Sequence, residues 1–326
     1  MRCYNLGMLT NQISTTSYIK SLIKDDYKVG LDSADGQKKI AKLLNKTVLK
    51  GGKRLRPILT VLFGRLAGVE EHDLQVLARS IEFVHAASLA HDDVIDNATM
   101  RRGKPSINVA GDNKMSILAG DFLLAEVISD LSCLGNSEVV TEMASIIKRL
   151  SLGEWLQHEC LINKSYSEEI FSQISNNKTS SVLEWCSVSP FVMVRSNKEI
   201  INLARNIGSN LGICFQLYDD LLDFSTDSQK DQFLDIENGQ LTYLSYLYLK
   251  QHNLLHEYTG GTKLSSLVDA GKLNSVAPLV KAEADRHHAV CLDLLEELLS
   301  KLNVSADDKN LHAIKYLFNK LKNRTK

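Results

Sequence analysis

The chain has 326 residues and a formal net charge of −1, which argues against a general nucleic-acid binder and against a broad electrostatic hold on membranes. Hydrophobic residues make up 44%, enough for a sizeable core, yet no uninterrupted apolar run reaches the roughly 20 residues of a membrane span. The six cysteines (Cys3, Cys133, Cys160, Cys186, Cys214 and Cys291) are too dispersed for a zinc motif, and they are expected to be reduced and mostly buried in an intracellular protein.

The chain opens with MRCYNLGMLTNQISTTSYIK, which matches a transit peptide only weakly and reads as an ordinary arm. Residues 1–35 are expected to be loosely ordered or peripheral. Helical periodicity then dominates: IAKLLNKTVL (40–49), LQVLARSIEFVHAASLAHDDVID (74–96), MSILAGDFLLAEVISDLSCL (115–134) and VVTEMASIIKRLSLGEWLQHE (139–159) carry apolar residues at three- and four-residue intervals. LGICFQLYDDLLDF (211–224) and HAVCLDLLEELLSKL (288–302) do the same. Breaks fall at 49–57, 97–106, 161–167, 223–240 and 258–262, and none resembles an interdomain linker. No stretch alternates strictly, so a sheet is not expected. The expectation is one all-α domain over residues 1–326, with long helices running between the scattered prolines.

Two stretches carry chemistry. In LAHDDVIDNATMRRG (89–103), Asp92 and Asp96 are four apart and share a helix face, with Asp93 beside them. YDDLLDF repeats the pattern with Asp219, Asp220 and Asp223. A lone acidic triplet is usually a solvated helix end. Two such clusters, each closing an apolar helix, point to a divalent cation, and magnesium suits two carboxylates plus substrate phosphates. Basic partners for an anion are at hand: Lys53, Arg54 and Arg56 in GGKRLRP, Arg101 and Arg102 in MRRG, and Lys178 with Thr179 in NNKTSS. Arginine forks match phosphate oxygens. Together they favour a diphosphate–magnesium site.

GGKRLRP, HDDVIDNATMRRG, KTSS and GICFQLYDDLLDF, in this order and at these distances, resemble the trans-prenyl diphosphate synthases, most of all the long-chain members that make quinone side chains. Specific motifs cover about residues 40–245. The resemblance implies a single-domain helical bundle around a central cavity, the isoprenoid synthase type, as a homodimer. It implies that Asp92 and Asp96 bind two magnesium ions on the allylic diphosphate and Asp219 a third, with Asp93, Asp220 and Asp223 nearby. Lys53, Arg56, His85 and Arg102 would hold isopentenyl diphosphate. Arg101, Lys178 and Lys230 would reach the allylic diphosphate, such as farnesyl diphosphate, with Thr179 beside them and Gln216 near the reacting carbons. Departure of pyrophosphate would leave an allylic cation, which the double bond of isopentenyl diphosphate attacks. No protein nucleophile is implied, and the product would pass to a membrane. His85, read alone, would be an ordinary structural histidine.

The pattern is broken in one place. QKDQFLDIENGQLTYL keeps Lys230 and Thr242, but Gln240 replaces a second lysine and Leu244 stands where proline is common. That keeps open a regulatory or structural subunit of a heteromeric synthase. A shorter-chain farnesyl or geranylgeranyl synthase and a terpene cyclase also stay open. Chain length is expected to be set below the first cluster. Ala87 and Ser88 are small, where shorter-chain members carry aromatic rings. Phe83 should point away, about 180° around the helix from Asp92. Ile81, and Ile128 on the next helix, are candidates for the tunnel floor. The simpler reading is that Ala87 and Ser88 merely let two helices pack closely. The expected compartment is the cytoplasm, with the mitochondrial matrix as the alternative.

Overall fold

The three- and four-residue spacing of apolar side chains is answered by helices along almost all of the described chain. The computed structural model describes residues 15–22, 27–30, 35–222, 236 and 241–322. In chain order come α1 (Asp35–Lys46), α2 (Leu55–Ala67), α3 (Glu71–Ile95), the four-residue α4 (Ile107–Ala110), α5 (Asn113–Ser132), α6 (Ser137–Asn163) and α7 (Glu168–Ser175). They are followed by α8 (Ser181–Met193), α9 (Lys198–Leu222), α10 (Tyr243–Gln251), the short α11 (Leu255–Thr259) and α12 (Leu264–Leu267), α13 (Ala277–Leu302) and α14 (Lys309–Lys322). A π turn over Asn176–Ser180 joins α7 to α8. The all-α expectation holds. Its one departure among the described residues is a hairpin of two-residue strands, β1 (Met100–Arg101) and β2 (Lys104–Pro105). The hairpin turns at Arg102 and Gly103, with φ of 51° and 71°, the twist that two-residue hairpins favour. Pro190 falls inside α8 rather than at its end.

The chain forms two compact units, each assembled from three stretches. The first comprises Met1–Ile147, Trp185–Ile201 and Val304–Ile314; the second comprises Lys148–Glu184, Asn202–Asn303 and Lys315–Lys326.

In the first unit, α3 lies against α2 and α5. Both contacts depend on a glycine. A Cβ at Gly64 would stand 2.1 Å from Leu74 Cδ1, and one at Gly120 would stand 2.3 Å from His91 Nε2. Beside Gly120, the Ser116 hydroxyl donates to the Ala90 carbonyl at 2.9 Å. These contacts fix α5 against the last turns of α3, where the first acid cluster lies. Leu59, Leu62, Leu74, Leu77, Ile81 and Trp185 are fully buried here, and the Trp185 indole donates to the Leu77 carbonyl at 3.2 Å. The described part of the N-terminal arm is packed rather than loose. Ile19 and Leu22 are buried, and the Tyr18 hydroxyl donates to Asn310 Oδ1 at 2.5 Å.

In the second unit, the core joins Cys214, Leu217 and Tyr218 of α9 to Tyr246 and Leu249 of α10 and to Val280 and Ala284 of α13. The Tyr218 hydroxyl donates to Asp285 Oδ1 at 2.6 Å, tying α9 to α13. Burial works against the Asp285 charge, but hydrogen bonds from Lys281, Tyr218 and Lys322 outweigh it and hold the carboxyl well below its usual range. As expected, the described cysteines are free, and all but Cys133 are buried. No described helix is long and apolar enough to cross a membrane.

Candidate active site

Each acid cluster closes a long helix. Asp92 lies in the last turn of α3 and Asp96 caps it, while Asp219 and Asp220 lie in the last turn of α9; neither last turn carries a basic residue. Helix C-termini favour cations, so each acid there costs about 0.3–1 kcal/mol at an exposed position. A chain that accepts this cost at both helices has a use for cations at these ends.

Asp92 and Asp93 part company in the structure. Asp92 is half-buried and Asp96 exposed, whereas Asp93 has no exposed surface. Arg101 donates to Asp93 Oδ1 through Nε at 2.7 Å and Nη2 at 2.6 Å, and the Ile107 amide donates to Oδ2 at 3.3 Å. Asp93 therefore holds the β1–β2 hairpin, with its two arginines, against α3.

The basic residues of this unit divide by role. Arg54 is taken by Glu82 and the Leu49 carbonyl, which makes it a structural clasp. Lys53 is exposed in the same loop, and Arg56 is half-buried on the first turn of α2. Arg102 donates to the Lys50 carbonyl at 3.2 Å, and its guanidinium lies close over Gly52, where a Cβ would stand 3.1 Å from Nη1 and where a φ of 89° favours glycine. His85 lies within the field of this group. Burial, and then Arg56, Arg102, Arg101 and Arg54, push its pKa well below the ordinary histidine value, so it is neutral at pH 7 and offers one ring N–H. Thus the charges of Arg56, Arg101 and Arg102 all bear on His85.

In the second unit, the π turn carries Lys178 and Thr179. Two glycines pinch it. A Cβ at Gly212 would stand 2.2 Å from Ser180 Cα, and one at Gly153 would stand 2.7 Å from Lys178 Cγ. Arg149 fixes the turn's start, donating to the Asn176 carbonyl at 2.7 Å and to Glu184 at 2.6 Å. π turns concentrate at functional sites. From here a polar chain runs inward: the Thr179 hydroxyl donates to Gln216 Oε1 at 2.8 Å, and Gln216 Nε2 donates to Asp220 Oδ1 at 3.0 Å. Lys178, Thr179, Gln216 and Asp220 line a cavity of about 490 Å³ together with Thr242. Lys178 is held by Gln157 at 2.9 Å and by Glu154. Neither partner stood out in the sequence. Their signal was Gly153 and Glu154 interrupting an apolar helix one turn before Gln157. Asp223, Lys230 and Gln240 lie outside the described residues. Thr242 caps α10 through the Ser245 amide, and Leu244 is buried in its first turn.

Among the described residues no three carboxylate, imidazole or thiolate groups converge on one point. The donors on offer, Asp92, Asp96 and Asp219, are hard oxygens, which suits magnesium held partly by phosphates and water. The chain-length candidates separate. Ile81 and Ala87 are buried on α3 and Ser88 is half-buried, whereas Ile128 on α5 has 37% of its surface exposed.

Helices in this order, with acid clusters ending α3 and α9, define an isoprenoid synthase fold. A solved geranylgeranyl pyrophosphate synthetase from the archaeon Geoglobus acetivorans shares it with a TM-score of 0.77 at 24% identity, over 95% of this chain and 97% of that one. The chain belongs to the polyprenyl synthetase family, whose model matches residues 37–269. It is 38% identical over 188 residues to solanesyl diphosphate synthase 3, chloroplastic/mitochondrial, of Arabidopsis thaliana, covering 56% of this chain and 44% of that protein. It is 34% identical over 205 residues to the octaprenyl diphosphate synthase of Escherichia coli (strain K12), covering 62% of this chain and 63% of that protein. The match thus spans about half to two thirds of these relatives' length.

Proposed function

We propose that the protein is a trans-polyprenyl diphosphate synthase, adding isopentenyl diphosphate head-to-tail to an allylic diphosphate such as farnesyl diphosphate. The product would be a long-chain all-trans polyprenyl diphosphate for a quinone side chain, handed on to a membrane. The observation that carries this is the pair of acid clusters on helix C-termini, each in a unit that also presents phosphate-binding cations. The names of the relatives support the long chain.

Asp92, Asp96 and Asp219 would hold magnesium, which supplies positive charge to the departing diphosphate when bound. Arg101, Lys178 and Lys230 bind the allylic diphosphate. Lys53, Arg56, Arg102 and neutral His85 hold isopentenyl diphosphate, His85 as a hydrogen-bond donor rather than a charge. Thr179 orients the Gln216 amide, and Gln216 in turn steadies Asp220 beside Asp219. We take residues 1–326 as one domain, because each compact unit needs three separated stretches and neither is a continuous segment.

A homodimer fits the outer side of α5. That helix is apolar on nearly every side, and Met115, Ile117 and Leu118 are about half exposed. A helix of this kind is normally covered, and a second copy is the occupant proposed here. Leu118→Glu should then sediment as a monomer; an unchanged dimer would reject this face. The free cysteines suit a reducing compartment, and the cytoplasm is proposed; import of a full-length fusion reporter into mitochondria would overturn it.

The test is incubation of purified protein with magnesium, radiolabelled isopentenyl diphosphate and farnesyl diphosphate. Long prenyl products are expected, and Asp92→Ala or Asp219→Ala should lower turnover by about 10²–10³. Near wild-type turnover in either variant would reject the metal assignment. Gln240 in place of lysine favours a second reading, a subunit that needs a partner; activity of the purified homomer would exclude it.

A further inference from the structure

The first unit holds a second cavity, of about 360 Å³, on the side of the hairpin where α1 ends. Lys46, Lys50, Arg101, Arg102 and Lys104 line it, whereas Lys53, Arg56 and His85 do not. Its one carboxylate among the described lining residues is Asp93, already committed to Arg101. Lys50 and Lys104 crowd their charges into the same pocket lining. Repulsion from Lys50 lowers the Lys104 pKa. Five cations that share one lining repel unless an anion lies among them, and the one lining carboxylate is held by Arg101. Arg102 joins this pocket to the residues assigned above to isopentenyl diphosphate.

We propose that this pocket is a second anion site that takes a diphosphate group on Lys46, Lys50 and Lys104, sharing Arg102 with the substrate site. The sharing rests on the function proposed above. A diphosphate could come from either of two sources: inorganic diphosphate released at each condensation, or the head of isopentenyl diphosphate on its way in. In the first case the bound ion draws Arg102 away from substrate and restrains turnover. In the second, the pocket loads substrate.

The double variant Lys50→Ala/Lys104→Ala separates these. Both side chains are exposed, so the fold should survive, and a melting curve checks it. Binding of radiolabelled inorganic diphosphate is measured first, by equilibrium dialysis with a chelator in place of magnesium. The affinity should fall about tenfold, the loss of one or two charge-assisted hydrogen bonds, and Lys50→Arg/Lys104→Arg should restore most of it. Steady-state kinetics follow. A weaker inhibition by inorganic diphosphate with an unchanged KM for isopentenyl diphosphate identifies the released ion as occupant. A raised KM with unchanged inhibition identifies the incoming substrate. Unchanged diphosphate affinity in the dialysis overturns the site. Absence of condensation by the wild type would overturn the proposed function, while a dialysis difference between wild type and variant would still uphold the pocket.

Discussion

Asp92 and Asp93 are neighbours whose side chains meet different surroundings, and substitution should tell them apart. Asp93→Asn keeps the shape but removes the charge that grips Arg101. It should raise the KM for the allylic diphosphate several-fold and leave the magnesium concentration for half-maximal rate unchanged. Asp92→Asn should raise that magnesium requirement. If Asp93→Asn shifts it equally, Asp93 is a metal ligand and the anchoring role is wrong. Asp93→Ala, which strands a half-buried arginine, should cost about 3 kcal/mol in denaturant unfolding, the low end for a broken buried pair. This division was partly legible beforehand. Asp93 continues the buried stripe Phe83–Ala86–Ala90 at helical intervals, while Asp92 lies off it. The acids announced themselves as a group; only the position of Arg101, eight residues on, showed that it is Asp93 that it grips.

His85 gives a pH dependence with a definite sign. Its folded pKa is depressed, so the unfolded chain takes up a proton at higher pH than the folded one. Stability is therefore greatest above the unfolded value and falls as pH drops below about 6.5. His85→Gln should lose less thermal stability than wild type between about pH 7.5 and about pH 5.5. An equal loss in both proteins would mean that His85 is not held neutral.

At the scale of elements, the helices were readable because burial imposes a period on the sequence, and their ends were readable wherever glycine or charge broke it. The π turn was not. One additional residue in a helical turn leaves no mark on composition, and the glycines that accept it, Gly153 and Gly212, are far from it in sequence. Gly212→Ala tests the arrangement. Its Cβ would meet the Ser180 backbone at 2.2 Å, which no rotamer change relieves. The turn must shift, at about 1–3 kcal/mol for overpacking. The melting temperature should fall, and the KM for the allylic diphosphate should rise more than that for isopentenyl diphosphate, since Thr179 and Lys178 ride on the turn. Wild-type values for both KM would show that the turn does not position them. The hairpin was also missed as a hairpin. Arg-Gly is not among the strongest turn pairs, and two-residue strands are too short to show alternation.

At the scale of the whole molecule, product length is the property the sequence bears on most. Ile81 and Ala87 are buried on the helix that carries Asp92, and tyrosine in place of Ala87 would add a ring to that buried position. Positions four and five before Asp92 lie roughly 6–8 Å along the helix, so a tail passing them can reach roughly seven to ten isoprene units only if the space continues toward Ile81. Ala87→Tyr should shorten the product sharply and leave the first condensations intact. If the variant folds and still makes the wild-type length, the tail does not pass Ala87. Ile128 is partly exposed on the next helix, which sequence periodicity alone had no means of showing.

The bond between Tyr18 and Asn310 closes a loop of 292 residues, and around it Arg65 donates to the Tyr18 hydroxyl at 2.8 Å while Lys309 lies over its ring. On a ribosome Tyr18 emerges 292 residues ahead of Asn310 and waits for it throughout that stretch. The unit bearing the first aspartates thus cannot be completed before Val304–Ile314 has been made, and its unfinished faces stay open to aggregation or to a chaperone in the meantime. A premature stop shortly before residue 304 would spare both aspartate clusters, yet it would remove the Val304–Ile314 segment that seals the first unit, so a lesion far downstream in the message should be as harmful as one in the motifs themselves.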